Sequence, residues 1–332
     1  MQPIPPNLHF NFQLLLRELQ ERNIQLSYIP DTDIVEARFD KHIELLVNCD
    51  SRLVPSQYIN LFGDKYFTNV FLKEKKFPVP ESRIFESDRQ DLALYYAQNT
   101  LKFPVVVKPN ISEGGYHVYC NIESREDFII CFEEIRKNNL PVILVEKYLR
   151  DQDDYRFFVT SSGYTAVIKR TCPRITGDGK LSIIDLIEKE NYKRLNPRNT
   201  CLCDIYIKDI EAVRALSKQK HKISDVLADG EELVLRFNSN VGSGGWCEDV
   251  TDEIHPSYIS VAHDILRLFP DLGFTGIDLL IKDPGAQAVA SNYSVLEINH
   301  RPGFSLHTLP GNGQSRNVLK PVVDLLFPET VT

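Results

Sequence analysis

Hydrophobic and polar residues alternate along this chain with two periods, one typical of helices and the other typical of strands. Apolar residues three or four positions apart predict helices over residues 10–23 and 58–75, the second of which opens near Asp64. Short apolar runs predict strands over residues 24–29 and 42–47. Because helical and strand patterns continue to alternate, we expect an α+β protein built from α/β layers.

Lys108, Glu146 and Arg156 each lie in or beside an apolar run that predicts a buried strand. A charge buried among apolar neighbours is unfavourable unless it meets an opposite charge or an anion. Lys108, which lies within an otherwise apolar strand, is therefore expected to meet an anion. The runs are residues 103–110, residues 142–145 with Glu146 directly after them, and residues 153–159.

Two segments near the carboxyl end carry oxygen ligands on predicted strands. Asp278 interrupts the first, and in the second Glu297 and Asn299 alternate with apolar Leu296 and Ile298. A period of two places Glu297 and Asn299 on one face, so an adjacent strand with Asp278 would bring three oxygen ligands together. Such a set favours a hard cation, Mg²⁺ or alternatively Mn²⁺. The alternative is a pair of acids at a surface edge, before a turn.

A glycine-bearing turn follows the strand of Lys108. Its residues Ser112, Gly114 and Gly115 would leave backbone N–H groups accessible to phosphate oxygens, although a double glycine alone is usually an ordinary turn. Neither GxxxxGK[ST] nor GxGxxG occurs, so a nucleotide site here would be of another type. Arg236 precedes a second glycine loop, where it could bind a carboxylate or phosphate or form an ordinary surface ion pair.

Composition and charge narrow the classes of partner. The chain has 332 residues and a formal net charge of -8, which argues against nucleic acid or an anionic membrane as a partner. No apolar run approaches the roughly 20 residues that span a bilayer, and the first residues do not read as a secretory signal. The seven cysteines show no framework spacing, so we expect reduced thiols in a cytoplasmic protein, with Cys201 and Cys203 as free cysteines rather than zinc ligands.

The order of these charged residues along the chain resembles the order of the motif residues in the ATP-grasp superfamily of carboxylate–amine ligases. Within it the likeness is to the ATP-grasp domain of cyanophycin synthetase and of fused γ-glutamylcysteine–glutathione synthetases. Residues 177–183, 249–256 and 307–328 carry that finer likeness. Cyanophycin synthetase has additional N-terminal and C-terminal domains that this sequence lacks, so we expect a ligase that makes one amide bond rather than a polymerase. The loop after Lys108 is also shorter and lacks the family's Gly-x-Gly end, so we expect a different lid.

The resemblance implies an ATP-grasp fold, in which two α+β subdomains grip ATP behind a small α/β N-terminal domain. The implied boundaries are residues 1–80 for the N-terminal domain, 81–150 for the small lid subdomain, and 151–332 for the C-terminal subdomain with the metal and substrate site. It also implies a homodimer or homotetramer that acts on amino acids or short peptides.

The resemblance further implies a role for each matching residue. ATP would be held by Lys65, Lys108, Ser112, Gly114, Gly115, Glu146, Lys147, Tyr148 and Asp154. Magnesium would be bound by Asp278, Glu297 and Asn299. The acyl substrate would be bound by Arg156, Arg170, Arg236, Ser243, Gly244 and Gly303. The residues implied to act in catalysis are Lys108, Arg236 and Asn299.

The implied reaction is ATP-dependent formation of an amide through an acylphosphate, with release of ADP and phosphate. The alternatives are a small-molecule kinase that stops after phosphoryl transfer, and a non-catalytic ATP-binding module. The polar region of residues 171–230, which contains Lys193, Arg194 and Arg198, either shapes the acceptor pocket or forms a solvated face. His255, His300 and His307 are expected to be core or supporting residues rather than bases.

Overall fold

The structure is a computed structural model and describes residues 3–112, 114–195 and 199–331. Its helices are α1 (Phe10–Glu21), α2 (Ser56–Gly63), α3 (Lys65–Glu74), α4 (Gln90–Tyr96), α5 (Arg125–Lys137), α6 (Ile183–Leu195), α7 (Ile210–Lys218), α8 (Pro256–Leu266), α9 (Ser305–Thr308) and α10 (Leu319–Leu326). A π-helical turn spans Ala97–Leu101, and 3₁₀ turns span Val241–Ser243 and Pro328–Thr330. Within the described residues no helix is both long enough and apolar enough to cross a bilayer.

The strands form four sheets. They are β1 (Gln25–Tyr28), β2 (Ile34–Phe39), β3 (His42–Val47), β4 (Ser82–Glu86), β5 (Val105–Pro109), β6 (Tyr119–Ile122), β7 (Val142–Lys147), β8 (Asp153–Thr160), β9 (Thr165–Thr171), β10 (Arg174–Thr176), β11 (Glu232–Val234), β12 (Trp246–Asp249), β13 (Phe274–Ile281) and β14 (Tyr293–Asn299). The sheet orders are β1-β2-β3, β4-β7-β5-β6, β12-β9-β8-β13-β14 and the pair β10-β11.

The five-stranded sheet is antiparallel throughout and positions most of the charged residues. Its register sets Asp278 of β13 opposite Arg156 of β8 on one side and opposite Glu297 of β14 on the other. Arg170 of β9 lies opposite Asp154 of β8. Since directly opposed residues of an antiparallel sheet share a face, this register gathers two arginines and three carboxylates on one surface.

The four-stranded sheet presents a second polar pair. Its strand β5 is entirely buried, as expected for β-branched Val105 and Val107 against helix α5. Lys108 on β5 lies diagonally across from Glu146 on β7, because Val106 is the residue directly opposite Glu146. Two polar side chains thus share one face of an otherwise apolar strand pair.

The N-terminal segment packs on the five-stranded sheet through one continuous hydrophobic core. Phe12 and Leu16 of α1 are fully buried in the same cluster as Phe158 of β8 and Phe274 of β13. Burial of each such side chain contributes roughly 1.5–3 kcal/mol, so the segment and the sheet stabilise each other. The predicted boundaries at residues 80 and 150 stay a prediction.

The helical prediction over residues 10–23 is confirmed by α1, and the strand prediction over 42–47 by β3. The single helix predicted over residues 58–75 is wrong in one respect, since the chain forms α2 and α3 with Asp64 between them. The Asp64 carboxylate caps α3 by accepting a hydrogen bond from the backbone N–H of Phe67 at 2.8 Å. Helix α7 lies within the polar region of residues 171–230.

Candidate functional site

A cavity of about 510 Å³ lies between the four-stranded and five-stranded sheets, a volume typical of small-molecule sites. Most of the predicted site residues line it. They are Lys65, Lys108, Ser112, Gly114, Gly115, Glu146, Lys147, Tyr148, Asp154, Arg156, Arg170, Asp278, Glu297 and Asn299. The fold therefore brings together residues that lie up to 234 positions apart, from Lys65 to Asn299.

Lys108 and Glu146 form a buried ion pair on the wall of the cavity. The Lys108 Nζ atom lies 3.1 Å from Glu146 Oε1, and the residues are 6% and 1% exposed. Burial by itself would lower the pKa of Lys108, but the charges of Glu146 and Glu297 outweigh burial and raise it. Lys108 is therefore an ammonium group held at the cavity. Asn69 of α3 completes the pair by donating to Glu146 Oε2 at 3.5 Å.

Lys65, the first residue of α3, places a second ammonium group in the cavity. Its Nζ atom lies 3.6 Å from Glu297 Oε1 and donates to the backbone oxygen of Ser112 at 2.6 Å. Lys65 thus connects the loop after β5 with strand β14. It also partly balances the charge of Glu297, whose side chain is 30% exposed.

The β13–β14 pair contains an irregularity that shapes the cavity floor. The register shifts between Asp278 and Leu279, so that Glu297 pairs with Asp278 whereas Val295 pairs with Leu279. The residue left over is Leu296, which as a bulge residue joins Glu297 on the cavity lining. Strict alternation, which predicted Leu296 on the opposite face, is therefore wrong at this position. Glu297 and Asn299 do share the cavity.

Asp278 is held by two arginines. Arg156 donates to both carboxylate oxygens, with Nη2 at 2.8 Å from Oδ2, and Arg170 lies 2.8 Å from the same Oδ2 atom. Burial of Asp278 would raise its pKa, but these two guanidinium groups lower it, so the carboxylate is ionised. Arg170 also donates to Asp154 Oδ1 at 2.7 Å.

The donor set of Asp278, Glu297 and Asn299 fits a divalent cation. Asp278 and Glu297 are directly opposed carboxylates, and Arg156, Arg170 and Lys65 already offset part of their mutual repulsion. An ionised carboxylate has about four acceptor positions, and three hydrogen bonds from arginines leave one on Asp278. The buried Nδ2 atom of Asn299 has no partner in the described part of the chain, so this amide is free to reorient its oxygen. Among the described residues, no group of three or more His, Cys, Asp and Glu is placed to hold a metal, and the candidate set here consists of two carboxylates and one amide.

Besides Lys65 and Lys108, three further predicted ATP-binding residues have protein partners for their side chains. The Glu146 carboxylate faces Lys108, Asp154 accepts from Arg170 and Ser239, and Lys147 Nζ donates to the backbone oxygen of Lys102 at 2.7 Å. Burial and the charge of Arg150 lower the pKa of Lys147. The backbone N–H of Tyr148 donates to Pro104 at 3.3 Å. A nucleotide base bound here would therefore contact backbone groups and apolar side chains more than side-chain donors without partners.

Four of the predicted substrate residues are not part of the described cavity lining, and their role in substrate binding stays a prediction. They are Arg236, Ser243, Gly244 and Gly303. Arg236 instead binds Asp209 through both terminal nitrogens, at 2.7 and 2.8 Å, and donates to the Tyr206 backbone oxygen at 3.0 Å. Gly244 has a φ of +102°, and a Cβ there would lie 2.5 Å from the Cα of Ile205. Both residues thus serve local packing.

Sequence reasoning missed the residues that hold the glycine loop. Asn240 donates from Nδ2 to the backbone oxygen of Gly114, and Ser239 donates to Asp154. A side chain at Gly115 would collide with Asn240, which explains why a glycine is required there. The signal in the sequence was the polar run from Asn238 to Asn240. Glu113 of the same loop lies outside the described residues.

A second cavity of about 740 Å³ adjoins the first and is bounded in part by α6 and β9. Lys193 and Arg194 line it, whereas Arg198, which was predicted beside them, lies outside the described residues. His307 is buried, and burial together with Arg156 and Arg170 lowers its pKa to about 3. It is neutral near pH 7, as expected for a core histidine.

The structure has two antiparallel sheets that face each other, and charged side chains of both sheets line the cavity between them. This arrangement identifies the fold. The fold is the ATP-grasp fold, as predicted. It matches the crystal structure of a bifunctional glutathione synthetase from Pasteurella multocida with a TM-score of 0.65 and 28% identity, over 97% of this chain and 44% of that chain.

The chain is a homologue of cyanophycin synthetase and of bifunctional glutathione biosynthesis proteins, which confirms the predicted resemblance. It is 28% identical to cyanophycin synthetase from Synechocystis sp. over 309 residues, which cover 92% of this chain and 33% of the relative. It is 29% identical to the bifunctional protein GshAB from Pasteurella multocida over 333 residues, which cover 97% of this chain and 43% of the relative. The chain thus spans less than half the length of these relatives. No protein-family model matches it.

Proposed function

We propose that this chain is an ATP-dependent carboxylate–amine ligase that joins an amino acid or short peptide to an amine and releases ADP and phosphate. The observation that carries the proposal is the convergence of Lys65, Lys108, Asp278 and Glu297 on one cavity between two sheets. The names of the homologues support the proposal, because both describe proteins that synthesise a product, cyanophycin in one case and glutathione in the other.

The nucleotide would lie between the two sheets. Lys65 and Lys108 would bind its phosphate oxygens, and ammonium groups this buried bind anions more strongly than exposed ones do. The segment from Glu146 to Tyr148, at the end of β7, would contact the base. Asp154 would accept the ribose hydroxyls after release from Arg170 or Ser239. The loop with Gly114 and Gly115 would cover the phosphates and exclude water.

Glu297, Asn299 and the remaining acceptor position of Asp278 would hold Mg²⁺, or Mn²⁺ in its place. When bound, the metal would offset the negative charge of the phosphates during transfer. Arg156 and Arg170 carry the remaining positive charge at this point of the cavity. They would orient the carboxylate of the acyl substrate through the N–H groups that their contacts with Asp278 and Asp154 leave over.

The chemistry requires activation of the acid because an amine does not displace oxide from a carboxylate near neutral pH. A carboxylate oxygen attacks the γ-phosphorus of ATP, which gives an acylphosphate and ADP. The amine then attacks the acyl carbon and phosphate leaves, so that an amide forms and one proton is released. The chain supplies no covalent nucleophile in this scheme. Its lysines and arginines position two anions against each other and stabilise the charge that develops between them.

The remaining predictions belong to this proposal. Residues 81–150 would act as the lid subdomain, residues 151–332 would carry the metal and substrate site, and residues 1–80 would form the N-terminal domain. A cytoplasmic location and a homodimeric or homotetrameric assembly stay predictions.

The proposal is tested by incubating the chain with ATP, magnesium and pairs drawn from a panel of amino acids and short peptides. We expect phosphate release that depends on both members of a pair, with a product whose mass equals the two substrates less water. Phosphate release without an amide product, or a phosphorylated product, would contradict ligase activity. Glu297→Gln is the inactive control, and Glu126→Gln, on the exposed face of α5, is the matched neutral control.

A further inference from the structure

Two cysteine thiols contact each other at edge strand β12 of the five-stranded sheet, where Cys247 lies on the same face as Arg170. The Sγ atoms of Cys201 and Cys247 lie 3.2 Å apart, and both residues are buried. This separation is shorter than the usual 3.5–4.0 Å or so between non-bonded carbon atoms, and approaches the bond length of about 2.05 Å in a disulfide. The two residues are 46 positions apart in the chain, so this contact is a product of the fold.

The backbone around the two cysteines is anchored to one shared segment. The N–H of Cys201 donates to the backbone oxygen of Leu309 at 2.7 Å, and the N–H of Gly311 donates to the oxygen of Cys247 at 3.0 Å. Cys247 also belongs to β12, where it pairs with Arg170. Hydrogen bonds thus hold both backbones to one segment, and bond formation requires the sulfurs to approach by about 1.2 Å more.

The two thiols are also chemically unequal. The hydrogen bond from Cys201 lowers the pKa of Cys247, helped by the Gly311 N–H and by Arg170 and Arg194, although burial opposes this. The same hydrogen bond, together with burial, raises the pKa of Cys201. Cys247 is therefore the better thiolate, and thiolates are the nucleophiles of disulfide exchange.

We infer that Cys201 and Cys247 form a reversible intramolecular disulfide, with a low-molecular-weight disulfide as the oxidant. One protein thiolate attacks the reagent, which breaks its S–S bond, forms a mixed disulfide and releases one small thiol. The second protein thiolate then attacks the protein sulfur of the mixed disulfide and releases the other small thiol. In sum, two protein thiols are oxidised and one reagent disulfide is reduced to two thiols.

The test uses the full chain with bis(2-hydroxyethyl) disulfide under native conditions, followed by alkylation, digestion and mass spectrometry. We expect a linked peptide pair containing Cys201 and Cys247, which dithiothreitol separates. Cys201→Ser should abolish the pair, whereas Cys203→Ser, two positions away and half-buried, should preserve it. Absence of the pair from the wild-type chain, or its loss in Cys203→Ser, would overturn the inference.

A thermal melt gives a second readout that does not depend on substituting the fully buried Cys247. Closing a loop of 46 residues restricts the unfolded chain, so the oxidised protein should melt several degrees above the reduced protein. Cys201→Ser should show no such shift, and Cys203→Ser should show all of it. Equal melting of oxidised and reduced wild type would contradict a disulfide in the native geometry.

Discussion

Replacing Lys108 by methionine removes an ammonium from a buried ion pair while nearly keeping its shape. The charges of Lys108 and Glu146 are 3.1 Å apart, which corresponds to about 5 kcal/mol of attraction at an effective dielectric constant near 20. Much of this attraction offsets desolvation of the two groups. The measurable cost is that of leaving Glu146 buried without its partner, about 3–5 kcal/mol. Because the unfolding free energy of a native protein is roughly 5–15 kcal/mol, the variant should still fold, but its unfolding free energy should be lower than that of wild type.

Urea unfolding of three variants and the wild type separates this stability effect from catalysis. Lys108→Met should lose about 3–5 kcal/mol of unfolding free energy, and Lys108→Met with Glu146→Gln should recover most of it, because no buried charge is left alone. Turnover should fall at least ~10²-fold in both, since neither retains the cation at the phosphates. Lys137→Met, at an exposed position of α5, is the control and should match wild type. Wild-type stability of Lys108→Met, or recovery of activity in the double variant, would refute the reasoning.

Three other substitutions test separate parts of the account. Glu297→Gln should lower turnover at least ~10²-fold in steady-state assays. Because the Glu297 side chain is 30% exposed, the unfolding free energy should change by less than about 1 kcal/mol. Near-normal turnover would show that Glu297 is not part of the site. Arg236→Met should lower the unfolding free energy by about 1–3 kcal/mol in urea, because the substitution removes the ion pair with Asp209. The KM values for both substrates should stay unchanged. A raised KM would indicate that Arg236 binds substrate. His42→Gln should flatten the pH dependence of stability. Burial opposes the shift, but two glutamates raise the pKa of His42, so its contribution is complete below its ordinary value of 6.5 and is lost as pH rises through the folded-state pKa. Equal pH profiles of the melting temperature for variant and wild type would contradict this.

The sequence predicted the strands around the cavity because a charge in an apolar run is a strong signal. Lys108 and Asp278 lie within such runs, Glu146 directly follows one and Arg156 precedes one, and all four line the cavity. Burial of a charge requires compensation nearby, so such residues tend to find one another in the fold. Their identities were therefore predictable, although their pairing was not.

What the sequence did not reveal depends on contacts between distant segments. The pairing of Arg236 with Asp209 across 27 positions removed it from the cavity, and a local pattern cannot show such a partner. The bulge at Leu296 arises from the pairing of two strands, so alternation within one strand could not predict it. The association of Asp278 with two arginines likewise follows from the order of β9, β8 and β13 in the sheet.

The measurement that tests the central claim most directly follows an oxygen atom. The acid of an active substrate pair is labelled with heavy oxygen in its carboxylate and incubated with the chain, ATP, magnesium and the amine. If the cavity activates the acid as an acylphosphate, the released phosphate should carry one labelled oxygen for each amide formed. Phosphate free of label, alongside amide formation, would contradict the account.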